Sequence, residues 1–382
     1  MPDPAPLALL APRIFDGERW CEGVALRCRG GRVLAVAPPA PGDRVERLAG
    51  WLVPGFVDLQ VNGGGGVLFN NDPTPEAIAR ICAAHVRGGT TALMVTLITD
   101  RPEVTACAIA AVTEALRRGQ PGLLGLHLEG PHLSLARKGT HDPTLIRPMV
   151  AADLALLLAA AADLRAAGGR LMTTVAPESV TEAQVAALAA AGVAVSLGHT
   201  DCSAATARAH FAAGARMATH LFNAMSPLGH REPGLVGAAL DDPGVTSGLI
   251  ADGFHVDPLA MGVAIRAARG RIALVSDAMA TVGTDLDGFT LNGRRIHRRD
   301  GRLTLADGTL AGADIDMIGS LRVVVDRLGL PLAQALPMAA RHPAAAIGAR
   351  KGAFLPGMDA DGVLLSPAHD IAGVWIAGVR VI

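Results

Sequence analysis

The sequence predicts an α/β fold, a (β/α)8 TIM barrel with one small β domain to which both chain ends contribute. Three observations carry this: eight apolar, β-prone runs separated mostly by helical patterns, polar and ionisable residues at the ends of those runs, and short alternating strands at both termini. The runs fall at residues 51–59, 91–98, 123–128, 171–175, 193–197, 216–221, 245–251 and 272–276. Between them, residues 75–86, 102–118, 151–167, 181–191 and 203–213 read as helices, each closed by glycine, with Thr181 as a cap. Eight such units in roughly 300 residues fit a closed barrel better than the competing doubly wound sheet.

The ends differ in texture. Residues 24–27 and 32–36 alternate around Gly30-Gly31, and residues 362–365, 373–376 and 379–382 repeat that pattern. The expected division is therefore 1–53 and 353–382 for this β domain and 54–352 for the barrel. Asn292-Gly293, Asp300-Gly301 and Asp307-Gly308 punctuate short runs after the last β segment, which predicts a β-hairpin insertion near 286–310.

Composition narrows the function. The chain has 382 residues, half of them hydrophobic, and a formal net charge of −1. No basic field points to nucleic acid, and the absence of Tyr weakens base stacking further. Five scattered cysteines without a C-x-x-C pair argue against a disulfide framework or a thiolate zinc site. No apolar stretch is long enough to cross a membrane, and the N-terminus lacks a basic region, so a cytoplasmic protein is expected.

In a barrel, chemistry gathers at the C-terminal ends of the strands. There the sequence places Asp58, Gln60 and Asn62, then Glu129, His199, His220, Asp252 with His255, and Asp277. A single histidine at a strand end is more often structural. Glu129, His199 and His220 together, on the third, fifth and sixth strands, make a set of two imidazoles and one carboxylate that leaves a position open for water. Asp277 is the candidate base. Bulk water lies about 12 pK units above an aspartate and metal-bound water only about 3, so a cation removes on the order of 12 kcal/mol from the proton transfer. His141, in a loop after the third strand, is a candidate donor to a developing oxyanion. Arg231 and His255 are candidate anion ligands, with backbone N–H groups at Asn223-Ala224.

These segments resemble the N-acetylglucosamine-6-phosphate deacetylases of the amidohydrolase superfamily. The matching stretches, in order from about residue 50 to 350, are Val-Pro-Gly-Phe-Val-Asp-Leu-Gln-Val-Asn-Gly at 53–63, His-Leu-Glu-Gly-Pro at 127–131, Lys-Gly-Thr-His at 138–141, Gly-His-Thr at 198–200, Thr-His-Leu-Phe-Asn-Ala-Met at 219–225, Arg-Glu-Pro-Gly at 231–234, Ala-Asp-Gly-Phe-His at 251–255 and Ser-Asp-Ala at 276–278. The resemblance implies a (β/α)8 barrel with a small β-sandwich built from both chain ends, metal ligation by Glu129, His199 and His220, acid/base work by Asp277 and carbonyl polarisation by His141. It implies hydrolysis of N-acetylglucosamine 6-phosphate to glucosamine 6-phosphate and acetate by a metal-activated water. Thr140, Asn223, Ala224, Arg231, His255 and the loop Leu310, Ala311, Gly312 and Ala313 would hold the sugar phosphate. It also implies a homodimer in which a partner subunit can supply a phosphate contact, so Arg231 is a candidate to act in its own cavity or across the interface. Many amidohydrolases carry His-x-His where this chain has Gln60 and Asn62, so one divalent metal per subunit is expected, zinc first, with iron or cobalt compatible. The family usually has Ser near position 313, where this chain has Ala313, and Asn-Pro where this chain has His342-Pro343. Two alternatives remain open: the same chemistry on another N-acetylhexosamine, phosphorylated or free, and a non-catalytic barrel that only binds a sugar phosphate.

Overall fold

A computed structural model describes residues 5–382; residues 1–4 of the expected N-terminal segment lie outside the described residues. Eight parallel strands form the central sheet in sequential order: Phe56–Val61, Thr90–Ile98, Leu123–Glu129, Arg170–Val175, Ala194–Leu197, Met217–Ala218, Thr246–Ile250 and Ile272–Val275. Just beyond the eighth strand, Ala278 bridges to Val61 of the first, and Asp277 N–H donates to Gln60 O at 3.0 Å, nearly closing the barrel. The interior is layered. Val57, Leu59, Met94, Met172, Met217 and Ile250, all from barrel strands, share one apolar cluster, and a larger apolar cluster joins the strands to the surrounding helices.

Side-chain caps start several helices, among them the one the sequence indicated at Thr181. Thr181 Oγ1 accepts from Gln184 N at 3.3 Å, while Gln184 Oε1 accepts from Thr181 N at 2.9 Å, a reciprocal cap on Glu182–Ala190. Ser203 caps Ala204–Ala213, and Asp257 caps Pro258–Ala268. Each such cap contributes about 1 kcal/mol. None of the described helices is long and apolar enough to cross a membrane.

The structure corrects three sequence boundaries. The first run, 51–59, is two strands. Trp51–Pro54 pairs with Arg13–Phe15 and Gly362–Leu365, and only Phe56–Val61 enters the barrel. The break falls at Gly55, where a Cβ would lie 2.1 Å from Thr91 Oγ1. The sixth run shrinks to Met217–Ala218, because the chain turns out of the sheet at His220, which has φ +27°. The insertion is larger than one hairpin: Gly288–Leu291, Arg294–Arg299, Arg302–Thr304 and Leu310–Ala313 form a four-stranded antiparallel sheet. Asn292-Gly293 and Asp300-Gly301 make its tight turns with positive φ at both residues.

The two chain ends meet. Trp51–Pro54 lies between Arg13–Phe15 and Gly362–Leu365 in a six-stranded sheet, next to a four-stranded sheet of Arg32–Ala37, Ala25–Arg29, Leu7–Leu10 and Arg44–Arg47. Leu9, Leu26 and Val33 of the smaller sheet share an apolar cluster with Ile14, Leu52, Leu364 and Trp375 of the larger. Lys351 Nζ joins Asp359 and Asp361, each at 2.6 Å, beside this cluster.

Candidate active site

Glu129 is the last residue of the third strand, and His199, His220 and Asp277 each follow their strand by two residues. Those three residues have left-handed backbones, with φ of +48°, +27° and +49°. Such conformations cost on the order of 1–3 kcal/mol each and persist where surrounding structure fixes them. Here they turn each side chain from the sheet toward the barrel axis.

The three expected ligands converge. Glu129 Oε1 lies 3.0 Å from His220 Nε2 and 3.3 Å from His199 Nε2, and the two Nε2 atoms are 3.0 Å apart. Four ligands at about 2.0–2.1 Å around a tetrahedral ion would be about 3.3 Å from one another, so the triangle has the dimensions of a cation site. His199 Nδ1–H donates to Arg137 O at 2.9 Å, which leaves its Nε2 lone pair pointing at the other two donors. All three side chains are buried. Three electron-rich atoms this close, with no apolar or cationic side chain between them, fit a divalent ion. Without one, the carboxylate must serve: burial pushes Glu129 up, but bonds from His199 and His220 outweigh it and hold its carboxyl well below 4.5. Burial pushes His220 down, and the Glu129 contact reverses this to hold the ring above its ordinary value. Glu129, His141 and His199 form a looser grouping, within 4.8 Å, which matches ion dimensions less well.

Two amides organise the carboxylates. Gln60 Nε2 donates to Glu129 at 3.1 and 3.2 Å and to Asp277 Oδ1 at 3.2 Å; Asn62 Nδ2 donates to the same Asp277 oxygen at 2.7 Å. Amide donors thus occupy the space between Glu129 and Asp277, where two carboxylates would otherwise repel. Burial, then the Glu129 charge, pushes Asp277 up to about 6. A cation held by Glu129 opposes that shift.

His141 is buried, and its ring meets that of His199 edge-on at 4.4 Å. Burial pushes it down to about 3, so the ring is neutral. Thr99 Oγ1 lies 2.7 Å from His141 Nδ1 but 3.5 Å from its other acceptor, Glu129 O. The hydroxyl therefore donates to Nδ1, and the ring proton sits on Nε2. Thr99 follows the second strand and was not singled out from sequence, since a threonine at a strand end is an ordinary β residue.

These groups open onto one cavity of about 420 Å³. Of the residues expected to hold a ligand, Thr140, Asn223, Ala224, His255, Leu310 and Gly312 line it. Ala311 and Ala313 do not: Leu310–Ala313 is a strand, so alternate side chains face opposite ways, and these two are buried in apolar packing. Arg231 is exposed in the loop before Gly234–Asp241 and lies outside the cavity of its own chain. Thr309, next to the expected loop, joins the lining, as does Leu291 of the insertion, which the sequence did not indicate.

The profile of the amidohydrolase family matches residues 51–381. The chain is 42% identical to the N-acetylgalactosamine-6-phosphate deacetylase of Shewanella sp. (strain ANA-3), over 86% of this chain and 83% of that protein. It is 35% identical to the N-acetylglucosamine-6-phosphate deacetylase of Haemophilus influenzae, over 86% and 85%. Among solved structures, it is similar to the D267A mutant of N-acetyl-D-glucosamine-6-phosphate deacetylase from Mycobacterium smegmatis in complex with N-acetyl-D-glucosamine-6-phosphate, with a TM-score of 0.91 and 34% identity over 99% of this chain and 100% of that one. With a nearly closed barrel, two histidines and a glutamate converging at its mouth, and a profile match over most of its length, the chain belongs to the amidohydrolase family.

Proposed function

We propose that this chain removes the acetyl group from N-acetyl-D-glucosamine 6-phosphate, giving D-glucosamine 6-phosphate and acetate, in amino-sugar catabolism. The observation that carries this is the Glu129–His199–His220 triangle, with Asp277 and His141 facing the same cavity. Glu129, His199 and His220 would hold one divalent metal, zinc before iron or cobalt. That ion supplies Lewis-acid character and makes a water acidic enough for a carboxylate to deprotonate. Asp277, held on Oδ1 by Asn62 and Gln60, takes a proton from the attacking water. His141 Nε2–H donates to the carbonyl oxygen as a C–O bond forms. Asp277 then gives the proton to the amine nitrogen as the C–N bond breaks.

Thr140, Asn223, Ala224, His255, Leu310 and Gly312 would position the sugar phosphate, and Arg231 would reach a neighbouring subunit's cavity in a homodimer. That the exposed Arg231 stands away from its own site supports this. The two end sheets, with their shared apolar cluster, support reading residues 1–53 and 353–382 as one β-sandwich around a barrel of residues 54–352. Five free cysteines accord with a cytoplasmic setting.

A second reading, the galactosamine epimer as substrate, is favoured by the 42% identity to an N-acetylgalactosamine-6-phosphate deacetylase. Acetate release from both epimers and from the free N-acetyl sugars, with and without chelator, tests the proposal. Metal-dependent turnover of the glucosamine epimer is expected. A tenfold or greater preference for the galactosamine epimer (about 1.4 kcal/mol) would support the second reading, and no acetate from any of them would overturn both.

A further inference from the structure

The cavity is poor in cations. Among the described residues, no Lys or Arg lines it, while two carboxylates, Glu129 and Asp277, do. Of its four histidines, His199 and His220 point at Glu129, and His141 is neutral. Among the described residues that line the cavity, His255 is the remaining side chain able to present positive charge to a ligand; Arg294, outside the lining, is tied to the Thr140 carbonyl.

Its ring is held by a carboxylate that does not itself line the cavity. Asp252 Oδ2 lies 2.6 Å from His255 Nδ1, and both side chains are buried. The other oxygen, Oδ1, accepts from the backbone N–H groups of Phe254 and His255, each at 2.8 Å. One aspartate thus folds the loop after the seventh strand and orients the ring that the loop presents. Burial pushes the Asp252 carboxyl up, but the His255 contact and the two N–H donors outweigh it and keep the group ionised. An ionised carboxylate accepts, so Nδ1 must be the donor, leaving Nε2 as the ring atom for the cavity.

We infer that Asp252 is a positioning residue, which holds the His255 imidazole as a doubly protonated donor to the anionic end of the substrate. The inference rests on the reading above that the substrate is an amino-sugar phosphate. The charged groups around the ring are Asp252 on its own loop and Asp277 from the eighth-strand end. Arg327 lies beside Gly253, and the insertion's Arg302 stacks on Phe254 at 4.5 Å. Neither arginine lines the cavity.

Asp252→Asn separates charge from geometry. The amide oxygen can still accept both backbone N–H bonds, but its NH2 then faces Nδ1 and requires a lone pair there, which leaves a neutral ring. The test is kcat and KM of metal-loaded wild type, D252N, H255Q and the double variant, on N-acetylglucosamine 6-phosphate and free N-acetylglucosamine, between about pH 6 and 9. For the phosphorylated substrate, D252N is expected to raise KM about tenfold with kcat within about threefold, and to alter the pH profile of KM. For the free sugar, kcat/KM should stay within about twofold, and D252N should add nothing in the H255Q background. An equal fall on both sugars, or an undiminished effect without His255, would overturn the inference. If wild type turns over none of the N-acetylhexosamine phosphates, the functional reading fails instead. The ring 15N resonances of His255 with inorganic phosphate then decide: doubly protonated in wild type and not in D252N supports the dyad, and no difference overturns it.

Discussion

Asp277→Asn should abolish turnover while making the metal-free protein more stable. The asparagine can keep the contacts from Asn62 at 2.7 Å and Gln60 at 3.2 Å on its carbonyl oxygen, so the geometry survives. What is lost is the proton acceptor, and general bases contribute about 10²–10⁴-fold to rate. We therefore expect kcat to fall about 10³-fold with metal content unchanged. Stability should move the other way. In the absence of metal, burial and the Glu129 charge push Asp277 from 3.8 to about 6. A carboxyl raised on folding disfavours the folded state once ionised: the penalty grows as pH rises from 3.8 and is complete above about 6. About 2 units at about 1.4 kcal/mol each is on the order of 3 kcal/mol at pH 8. Urea unfolding of chelated wild type and D277N at pH 8 and pH 4 reads it: the variant should be more stable at pH 8, with the gap closing at pH 4. Stoichiometric metal with kcat reduced less than tenfold would remove Asp277 from the chemistry, and equal stability at both pH values would refute the charge argument.

Other expectations follow from the same geometry. Thr99→Val removes the hydroxyl that fixes the His141 tautomer at 2.7 Å, and should lower kcat about tenfold with KM little changed; a normal kcat would show that the ring proton is placed otherwise. Gln60→Leu takes the amide from between Glu129 and Asp277 and should raise the apparent pKa on the acid limb of the kcat–pH profile, a shift that an unaltered limb would refute. On the surface, the Arg147 contact is the main reason Asp153 sits below 3.8, so its stabilisation is present above 3.8 and is lost as pH falls through the lower folded value. Asp153→Asn should therefore cost about 1 kcal/mol or less near neutrality and nothing in strong acid, which denaturant melts at the two pH values would check.

Much of the site was legible because its residues interrupt patterns. Glu129, His199, His220 and Asp277 are polar where apolar β-prone runs stop, and in a barrel those stops share one face. Turn chemistry likewise marked the insertion at Asn292-Gly293 and Asp300-Gly301. What escaped depends on tertiary facts. The sequence offers 310–313 as one contiguous loop, whereas strand alternation sends Leu310 and Gly312 to the cavity and Ala311 and Ala313 into packing. Thr99 matters only through a histidine 42 positions away. The bridging of Glu129 and Asp277 by Gln60 depends on strands far apart in the chain. An apparently continuous strand divides at Gly55, where Thr91 leaves no room for a Cβ.

The proposed chemistry requires that Glu129, His199 and His220 hold a cation jointly. Elemental analysis of the purified chain, dialysed without added metal and compared with Glu129→Ala, measures this most directly. One equivalent of a divalent metal in the wild type and about a tenth or less in the variant is predicted. A full equivalent retained by Glu129→Ala would place the ion elsewhere and contradict the account.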